Sequence, residues 1–247
     1  MTTLQNLRYH AADGAELIGA FVSEAGVPRP GVLLIHDASG VSEPMKATAH
    51  RIAELGYSVL LADLWGEGRT PRSDDEIGPL IGSMVSDRER WVVRVKAGHE
   101  ALVAHPDVAD GPVTAVGYCF GGSSALEYLR HGGELDGVVS FHGGLDAVGT
   151  EWTASTGSPA RVLVLTGAED PMAPRDAVVA LEDGLSVAGI DWEVTLYGAT
   201  KHGFTNPHAD RAGRPDAIAY DARAARRSWN AFTEFLREIH HGDGVGA

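Results

Sequence analysis

One cysteine stands where a strand pattern meets a helix pattern. The apolar, β-branched run 113–116 leads into Gly117–Gly121, read as Gly-Tyr-Cys-Phe-Gly, and a small-residue helical pattern follows at once. This is the spacing of a nucleophile elbow, with sulfur in place of the usual serine oxygen. Glycines on either side let the strand and the helix approach closely behind a strained apex residue. The pattern predicts that Cys119 is a nucleophile, and the helix N-terminus behind it favours the thiolate.

An acid and a histidine follow Cys119 at the ends of two later strand patterns. Asp170 comes shortly after the apolar run 161–166, and His202 follows the run 192–196. Open α/β sheets place ligands at the carboxyl ends of their strands, and nucleophile, acid, histidine is the chain order of α/β-hydrolases. We therefore expect Cys119 to attack an acyl carbon, His202 to transfer protons, and Asp170 to orient the imidazole.

Each of the three residues also has a structural interpretation. A lone cysteine is commonly buried in a core, and an aspartate before a proline commonly forms a turn or caps a helix. A single histidine among 11 is commonly solvated. The order and the spacing together favour catalysis over these alternatives. Glu169 is a weaker candidate for the acid, since Asp170 directly precedes Pro171 in the turn.

Acyl chemistry also requires hydrogen-bond donors for the oxyanion of the tetrahedral intermediate. One expected donor is the backbone N–H of Phe120, the residue after the nucleophile. The other is the backbone N–H of Ala38, in the loop after the strand pattern 31–36. Their nearness to strand ends suggests four pocket-lining residues: Trp65, His142, Phe204 and Asn206.

Strands that alternate with helices would position these residues. Continuous apolar runs predict buried strands at 31–36, 57–62 and 161–166. Further strands are predicted at 113–117, 137–141 and 192–196, after two antiparallel strands at 7–10 and 17–22. Helices are predicted at 44–55, 87–105, 123–130, 174–188 and 220–240, and a long loop at 63–82. The expected fold is an α/β, mostly parallel doubly wound sheet with helices on both faces. We expect one domain over 1–247, with residues 242–247 frayed.

Composition limits the partners and the compartment. The chain of 247 residues carries a net charge of −14, which disfavours nucleic acids and anionic membranes because both require a positive field. One cysteine excludes an intramolecular disulfide, and no signal peptide or membrane-length apolar run is evident, so a cytoplasmic protein is expected. No metal or nucleotide motif is found, so neither a metal nor a cofactor is expected. A small-molecule substrate and a monomer or homodimer are expected.

The chain resembles the dienelactone hydrolase family, a cysteine branch of the α/β-hydrolase fold. The resemblance rests on the segments 117–122, 63–64, 167–170 and 202–204. It implies cleavage of an ester or lactone, in the carboxymethylenebutenolidase class, through a triad of Cys119, His202 and Asp170 and an acyl-thioester intermediate. The same site could instead serve acyl transfer, elimination or isomerisation. A ligand-binding homologue without catalysis is a third alternative.

Two positions depart from the pattern of that family. Asp37 matches a carboxylate that gates the resting thiol, but the type member has a glutamate there, and the alternative for Asp37 is a loop residue. Asn206 stands where the type member has an arginine that holds the carboxylate of the substrate. Arg88 and Arg90 lie near the place of a second such arginine, or are solvated helix charges. Whether the substrate carries a carboxylate is left open.

Overall fold

Strands and helices alternate along most of the chain in a computed structural model that describes residues 2–153 and 160–242. The strands are β1 (Thr2–His10), β2 (Glu16–Glu24), β3 (Arg29–Ile35), β4 (Ser58–Ala62), β5 (Val108–Tyr118), β6 (Gly137–Phe141), β7 (Arg161–Gly167) and β8 (Asp191–Tyr197). The helices are α1 (Glu43–Ala53), α2 (Asp74–Val85), α3 (Arg88–Val103), α4 (Phe120–Arg130), α5 (Arg175–Val187) and α6 (Ala222–His241). The sheet order is β1-β2-β4-β3-β5-β6-β7-β8.

The chain divides into two compact units, residues 1–116 and 117–247. In the first unit, β1 pairs with β2 and β2 with β4 in antiparallel fashion, while β3 and β4 are parallel. All residues of β4 are buried, as a continuous apolar run in a parallel strand predicts. The expectation that residues 1–247 form a single domain stays a prediction.

The second unit continues the parallel pattern. β6 pairs with β7, and β7 with β8, both in parallel register. The carboxyl ends of these three strands therefore lie at one edge, where an open α/β sheet binds its ligands. The α/β class and the mostly parallel sheet expected from the sequence are confirmed.

One predicted element is wrong. The stretch 63–82 was expected to be a loop, but α2 begins within it at Asp74. The sequence does not indicate this helix, because glycine and proline both disfavour a helix interior and α2 contains Gly78, Pro79 and Gly82. Three carboxylates in the first turn favour the helix by their interaction with its dipole: Asp74, Asp75 and Glu76.

The ends of the chain fall partly outside the described residues. The segment 243–247, which was expected to fray, lies there, whereas Gly242 closes α6. No helix within residues 2–153 and 160–242 combines the length and the apolar character that crossing a membrane requires.

Candidate active site

The turn between β5 and α4 consists of Cys119 alone. Its backbone has a φ of +53°, in the left-handed region that side chains other than glycine rarely adopt. The N–H of Cys119 donates to the carbonyl of Phe141 at 3.0 Å, and its carbonyl accepts from Gly122 at 3.0 Å. The side chain is partly exposed. The strained conformation thus presents the thiol at the carboxyl end of the strand.

Close backbone approach behind Cys119 requires the glycines. A Cβ on Gly117 would lie 2.0 Å from the carbonyl carbon of Gly121, a distance that no methyl group tolerates. A Cβ on Gly122 would lie 2.4 Å from Oγ of Ser140 on β6. The glycines expected around the elbow therefore serve a steric need that the structure shows directly.

The three residues singled out in the sequence lie together in the second unit. Nε2 of His202 is 3.0 Å from Sγ of Cys119, and Nδ1 of His202 is 2.9 Å from Oδ2 of Asp170. His202 and Asp170 are each only 3% exposed. The second carboxylate oxygen of Asp170 accepts from the N–H of Met172 at 2.8 Å, which fixes the carboxylate in its turn. The arrangement is a continuous hydrogen-bonded line from carboxylate to sulfur.

The two hydrogen-bond partners of His202 change its pKa. Burial lowers the pKa of His202, but the negative charge of Cys119 and the hydrogen bond to Asp170 outweigh it and raise the pKa to about 10. His202 therefore holds a proton on each ring nitrogen at neutral pH. An imidazolium at hydrogen-bond distance is the environment in which a cysteine reacts as a thiolate.

Two of the predicted pocket residues, His142 and Phe204, pack against each other, and His142 lies beside His202. The ring of His142 is 5.2 Å from the ring of His202 and 5.2 Å from that of Phe204, edge to face in both cases. His142 is 3% exposed and Phe204 is fully buried. Burial, together with the charge of His202, holds the pKa of His142 well below its ordinary value of 6.5, so its ring is neutral.

The model of the dienelactone hydrolase family matches residues 18–240. The chain belongs to that family. Two solved proteins, m3DLH and a dienelactone hydrolase-like promiscuous phosphotriesterase from metagenomic libraries, are 32% and 33% identical to it. Each has a TM-score of 0.87, and each alignment covers 97% of this chain and 99% of the other. A putative carboxymethylenebutenolidase of Yersinia pestis is 25% identical over 224 residues, 87% of this chain and 79% of its own.

Membership of the dienelactone hydrolase family makes this chain a hydrolase with the α/β-hydrolase fold. The relative from Yersinia pestis is named a putative carboxymethylenebutenolidase, which is also a hydrolase.

Asp37 and Asn206, the two residues that depart from the dienelactone hydrolase pattern, each accept a local hydrogen bond. Oδ1 of Asp37 accepts from the backbone N–H of Ser39 at 2.8 Å, which suits a loop residue, and a gating role stays a prediction. Asn206 is exposed, and its Oδ1 accepts from the N–H of His208 at 2.9 Å. A role for Asn206 in lining the pocket also stays a prediction. Of the two candidate arginines, Arg90 forms an ion pair with Asp87 at 3.5 Å.

The remaining predicted site residues belong to the first unit. The indole Nε1 of Trp65 donates to the carbonyl of Ala38 at 3.3 Å, and Trp65 is 3% exposed. Arg88 stacks over Trp91 at 5.8 Å. Trp65 thus ties down the loop that contains Ala38, and the use of the Ala38 N–H as an oxyanion donor stays a prediction.

Thr205 is a site residue that was not predicted from the sequence. Its Oγ1 is 2.8 Å from Nε2 of His142, and its place three residues after His202 was the only available signal. A cavity of about 400 Å³ lies elsewhere, at the first residues of β7 and β8 against α6. Arg161 and Asp191, which begin those strands, line it, and none of the candidate site residues does. The cavity and the Cys119 site therefore lie toward opposite ends of these strands.

Proposed function

We propose that the chain hydrolyses a carboxylic ester or lactone, with Cys119 as the nucleophile, His202 as the proton carrier and Asp170 as the orienting carboxylate. The observation that carries the proposal is the line of hydrogen bonds through His202, 2.9 Å to Asp170 and 3.0 Å to Cys119. Nucleophile, base and orienting group within hydrogen-bond reach are the signature of covalent catalysis. Membership of the dienelactone hydrolase family supports the reaction class.

The charge state of the pair defines the first half of the reaction. The Cys119 thiolate attacks the carbonyl carbon of the substrate, and the C=O electron pair moves to oxygen to give a tetrahedral oxyanion. When that intermediate collapses, the bond to the leaving oxygen breaks, and the proton on Nε2 of His202 passes to it. The products of this half are an alcohol and an acyl-thioester on Cys119, with His202 neutral.

Water completes the reaction in the second half. Neutral His202 takes a proton from a water molecule as the oxygen of that water attacks the thioester carbon. Collapse of the second tetrahedral intermediate breaks the C–S bond and releases the acid. The proton remains on His202 and the thiolate on Cys119, so one ester and one water give one acid and one alcohol.

Stabilisation of the oxyanion is assigned in part to the elbow. Phe120 is the first residue of α4, so its backbone N–H belongs to the helix end that carries positive partial charge. We propose this N–H as one oxyanion donor, in keeping with its place directly after the nucleophile. The predicted second donor is the N–H of Ala38. Loss of one such donor typically costs about 10²–10³ in rate.

A panel of esters and lactones tests the proposed function. Cys119→Ala is expected to lower kcat by about 10⁴-fold or more on every member that the wild type cleaves, because no other thiol is present. Ser83→Ala, a substitution in α2, is the control and should leave the rates unchanged. A Cys119→Ala variant that keeps most of the wild-type rate would refute the nucleophile.

The same panel bears on substrate and reaction type. Neutral and carboxylate-bearing members compared on the wild type show whether an arginine serves the site despite Asn206. Turnover in ¹⁸O-labelled water places the label in the acid if the thioester is hydrolysed. An unlabelled product would favour acyl transfer, elimination or isomerisation at the same site.

Phosphate triester hydrolysis is a second candidate activity. The observation that favours it is the 33% identity and TM-score of 0.87 to a protein named a promiscuous phosphotriesterase. The Cys119 thiolate would attack phosphorus in place of carbon, with an aryl oxide as the leaving group. Release of p-nitrophenolate from diethyl p-nitrophenyl phosphate by the wild type, and its loss in Cys119→Ala, would establish the activity.

A further inference from the structure

His142 occupies a conformation that the fold has to impose. It follows β6 directly and has a φ of +38°, a left-handed value that is unfavourable for a residue with a Cβ. Its N–H donates to the carbonyl of Leu165 at 2.8 Å, which fixes the backbone against β7. Strained residues of this kind persist only where the surrounding structure determines them, and they cluster at functional sites.

The imidazole of His142 has a single hydrogen bond within the described part of the chain. Nε2 is 2.8 Å from Oγ1 of Thr205, while Nδ1 is buried without a partner among residues 2–153 and 160–242. Thr205 lies in the loop that carries His202, three residues further on. One hydrogen bond therefore ties the end of β6 to the histidine loop.

The rings of His142 and His202 meet at a position that constrains the second ring. The two hydrogen bonds of His202 leave from Nδ1 and Nε2, so they define an axis through the ring. Rotation about that axis changes neither bond length and would tilt the ring plane. The His142 ring, 5.2 Å away and inclined at 69°, opposes such rotation by contact.

Electrostatic repulsion favours a neutral His142 ring at this contact. His142 lies beside a group that is protonated in the resting site, so a second positive charge there would repel it. Burial and the charge of His202 both hold the pKa of His142 well below 6.5. A neutral imidazole can pack edge to face against the His202 ring without that repulsion.

We infer that His142, held by Thr205, is a positioning residue that fixes the plane of the His202 ring for proton delivery to the leaving group. The inference rests on the proposed function and adds a residue to it. Orientation matters because Nε2 must turn its proton from sulfur to the leaving oxygen, and small misplacements of reacting groups lower rates strongly. The contact should matter least for leaving groups that depart without a proton.

Two esters of one acid test the inference. The p-nitrophenyl ester loses a weakly basic phenolate, whereas the ethyl ester loses an ethoxide that requires a proton, and kcat/KM reports the acylation step for each. Thr205→Val removes the hydrogen bond and keeps the side-chain shape; it is expected to lower kcat/KM about tenfold for the ethyl ester and less than about threefold for the p-nitrophenyl ester. Thr205→Ser keeps the hydroxyl group and is the matched control. It should retain the wild-type ratio of kcat/KM for the p-nitrophenyl ester to kcat/KM for the ethyl ester.

His142 variants extend the test to the ring contact. His142→Ala, which removes both the hydrogen bond and the ring, should widen the ratio further than His142→Phe, which keeps a ring. Cys119 alkylation by iodoacetamide should stay near the wild-type rate in all of them, because the bonds from His202 to Asp170 and Cys119 remain. An equal loss on both esters, or no loss on either, would overturn the inference.

The inference and the proposed function fail in different ways. If Cys119→Ala cleaves the two esters at wild-type rates, the proposed nucleophile is wrong and the role of His142 falls with it. If Cys119→Ala is inactive and the Thr205 and His142 variants show no dependence on the leaving group, only the positioning role is wrong. A retained ratio in Thr205→Val with normal alkylation belongs to this second case.

Discussion

Two buried histidines, His36 in the first unit and His202 in the second, are similar in place and opposite in chemistry. Both follow a strand of the sheet, and both use both ring nitrogens. The backbone N–H of Leu64 donates to Nε2 of His36 at 3.0 Å, so the proton of that ring is on Nδ1 and goes to the carbonyl of Asp37 at 2.6 Å. His202 has a carboxylate and a thiol at the same two positions.

The partners determine the charge of each ring. Burial lowers the pKa of His36, and the charges of Asp63 and Asp37 together with the backbone partner offset it only in part, since neither carboxylate is hydrogen-bonded to the ring. Burial acts on His202 in the same direction, but the charged partners reverse it and raise the pKa to about 10. His36 is therefore neutral and links the loop that follows β3 to the loop that follows β4 (we call it a structural brace), whereas His202 carries a proton that it could transfer. Burial alone identifies neither role.

The largest expected difference between the two histidines is catalytic. His202→Gln is expected to lower kcat/KM by about 10³-fold or more, because the proton carrier and the charge partner of the thiol are lost together. Alkylation of Cys119 by iodoacetamide at neutral pH should slow strongly in the same variant. His10→Gln, at an exposed strand end, is the matched control for the substitution. An unchanged alkylation rate in His202→Gln would break the proposed pair.

The carboxylate beside His202 gives the next largest effect. Asp170→Asn keeps the acceptor for the Met172 N–H and removes the negative charge, so the amide can favour the wrong tautomer of His202. A fall in kcat of about 10²–10⁴-fold is expected, with KM nearly unchanged. Steady-state kinetics on one activated ester measure both. A loss seen only in KM would place Asp170 in substrate binding and not in orientation.

The sequence allowed the elbow and its partners to be predicted because the decisive features are local. Strand patterns in the sequence indicate β5, β7 and β8, and Cys119, Asp170 and His202 each follow one of these strands. Strand order then brings their carboxyl ends to one edge, without any knowledge of side-chain contacts. Their distances could not be predicted, and the catalytic roles assigned to them remain proposals.

Features that depend on contacts between distant segments could not be read from the sequence. The left-handed backbone of His142 is held by the hydrogen bond from its N–H to the Leu165 carbonyl on β7, and the residue types at 141–143 do not predict it. The bond between His142 and Thr205 joins residues 63 positions apart. α2 was missed for a different reason, since its glycines and Pro79 contradict the local propensity that a helix normally shows.

A stability measurement sharpens the view of His36 as a brace. His36→Gln is expected to lower the free energy of unfolding by about 1–3 kcal/mol, because the Leu64 N–H or the Asp37 carbonyl then loses a buried partner. Urea denaturation of the wild type, His36→Gln and His10→Gln measures the difference. The comparison is made at pH 10, where most of the contribution of protonated His202 is lost. At that pH His202→Gln should change stability by less than His36→Gln, and a larger loss in His202→Gln would contradict the division between a structural and a reactive histidine.

A further expected difference between the two histidines is how their contributions to stability vary with pH. The pKa of His202 is raised above 6.5 on folding, so its contribution is complete below pH 6.5 and is lost as the pH rises from 6.5 through about 10. The pKa of His36 is lowered on folding, so its contribution is complete above pH 6.5 and is lost as the pH falls below that value. Each slope is at most about 1.4 kcal/mol per pH unit, the limit for one proton.

Urea midpoints between pH 5 and pH 10 separate the two contributions. His202→Gln should reduce the alkaline limb of the wild-type profile and leave the acid limb. His36→Gln should make the acid limb less steep and leave the alkaline one, since the lowered pKa of His142 keeps part of the acid limb. Cys119→Ala offers an independent check, because it removes the negative charge that acts on His202 and keeps the ring. That variant should make the alkaline limb shallower without abolishing it, because the hydrogen bond to Asp170 remains. An alkaline limb that is unchanged without Cys119 would show that the thiol does not help to hold the proton on His202.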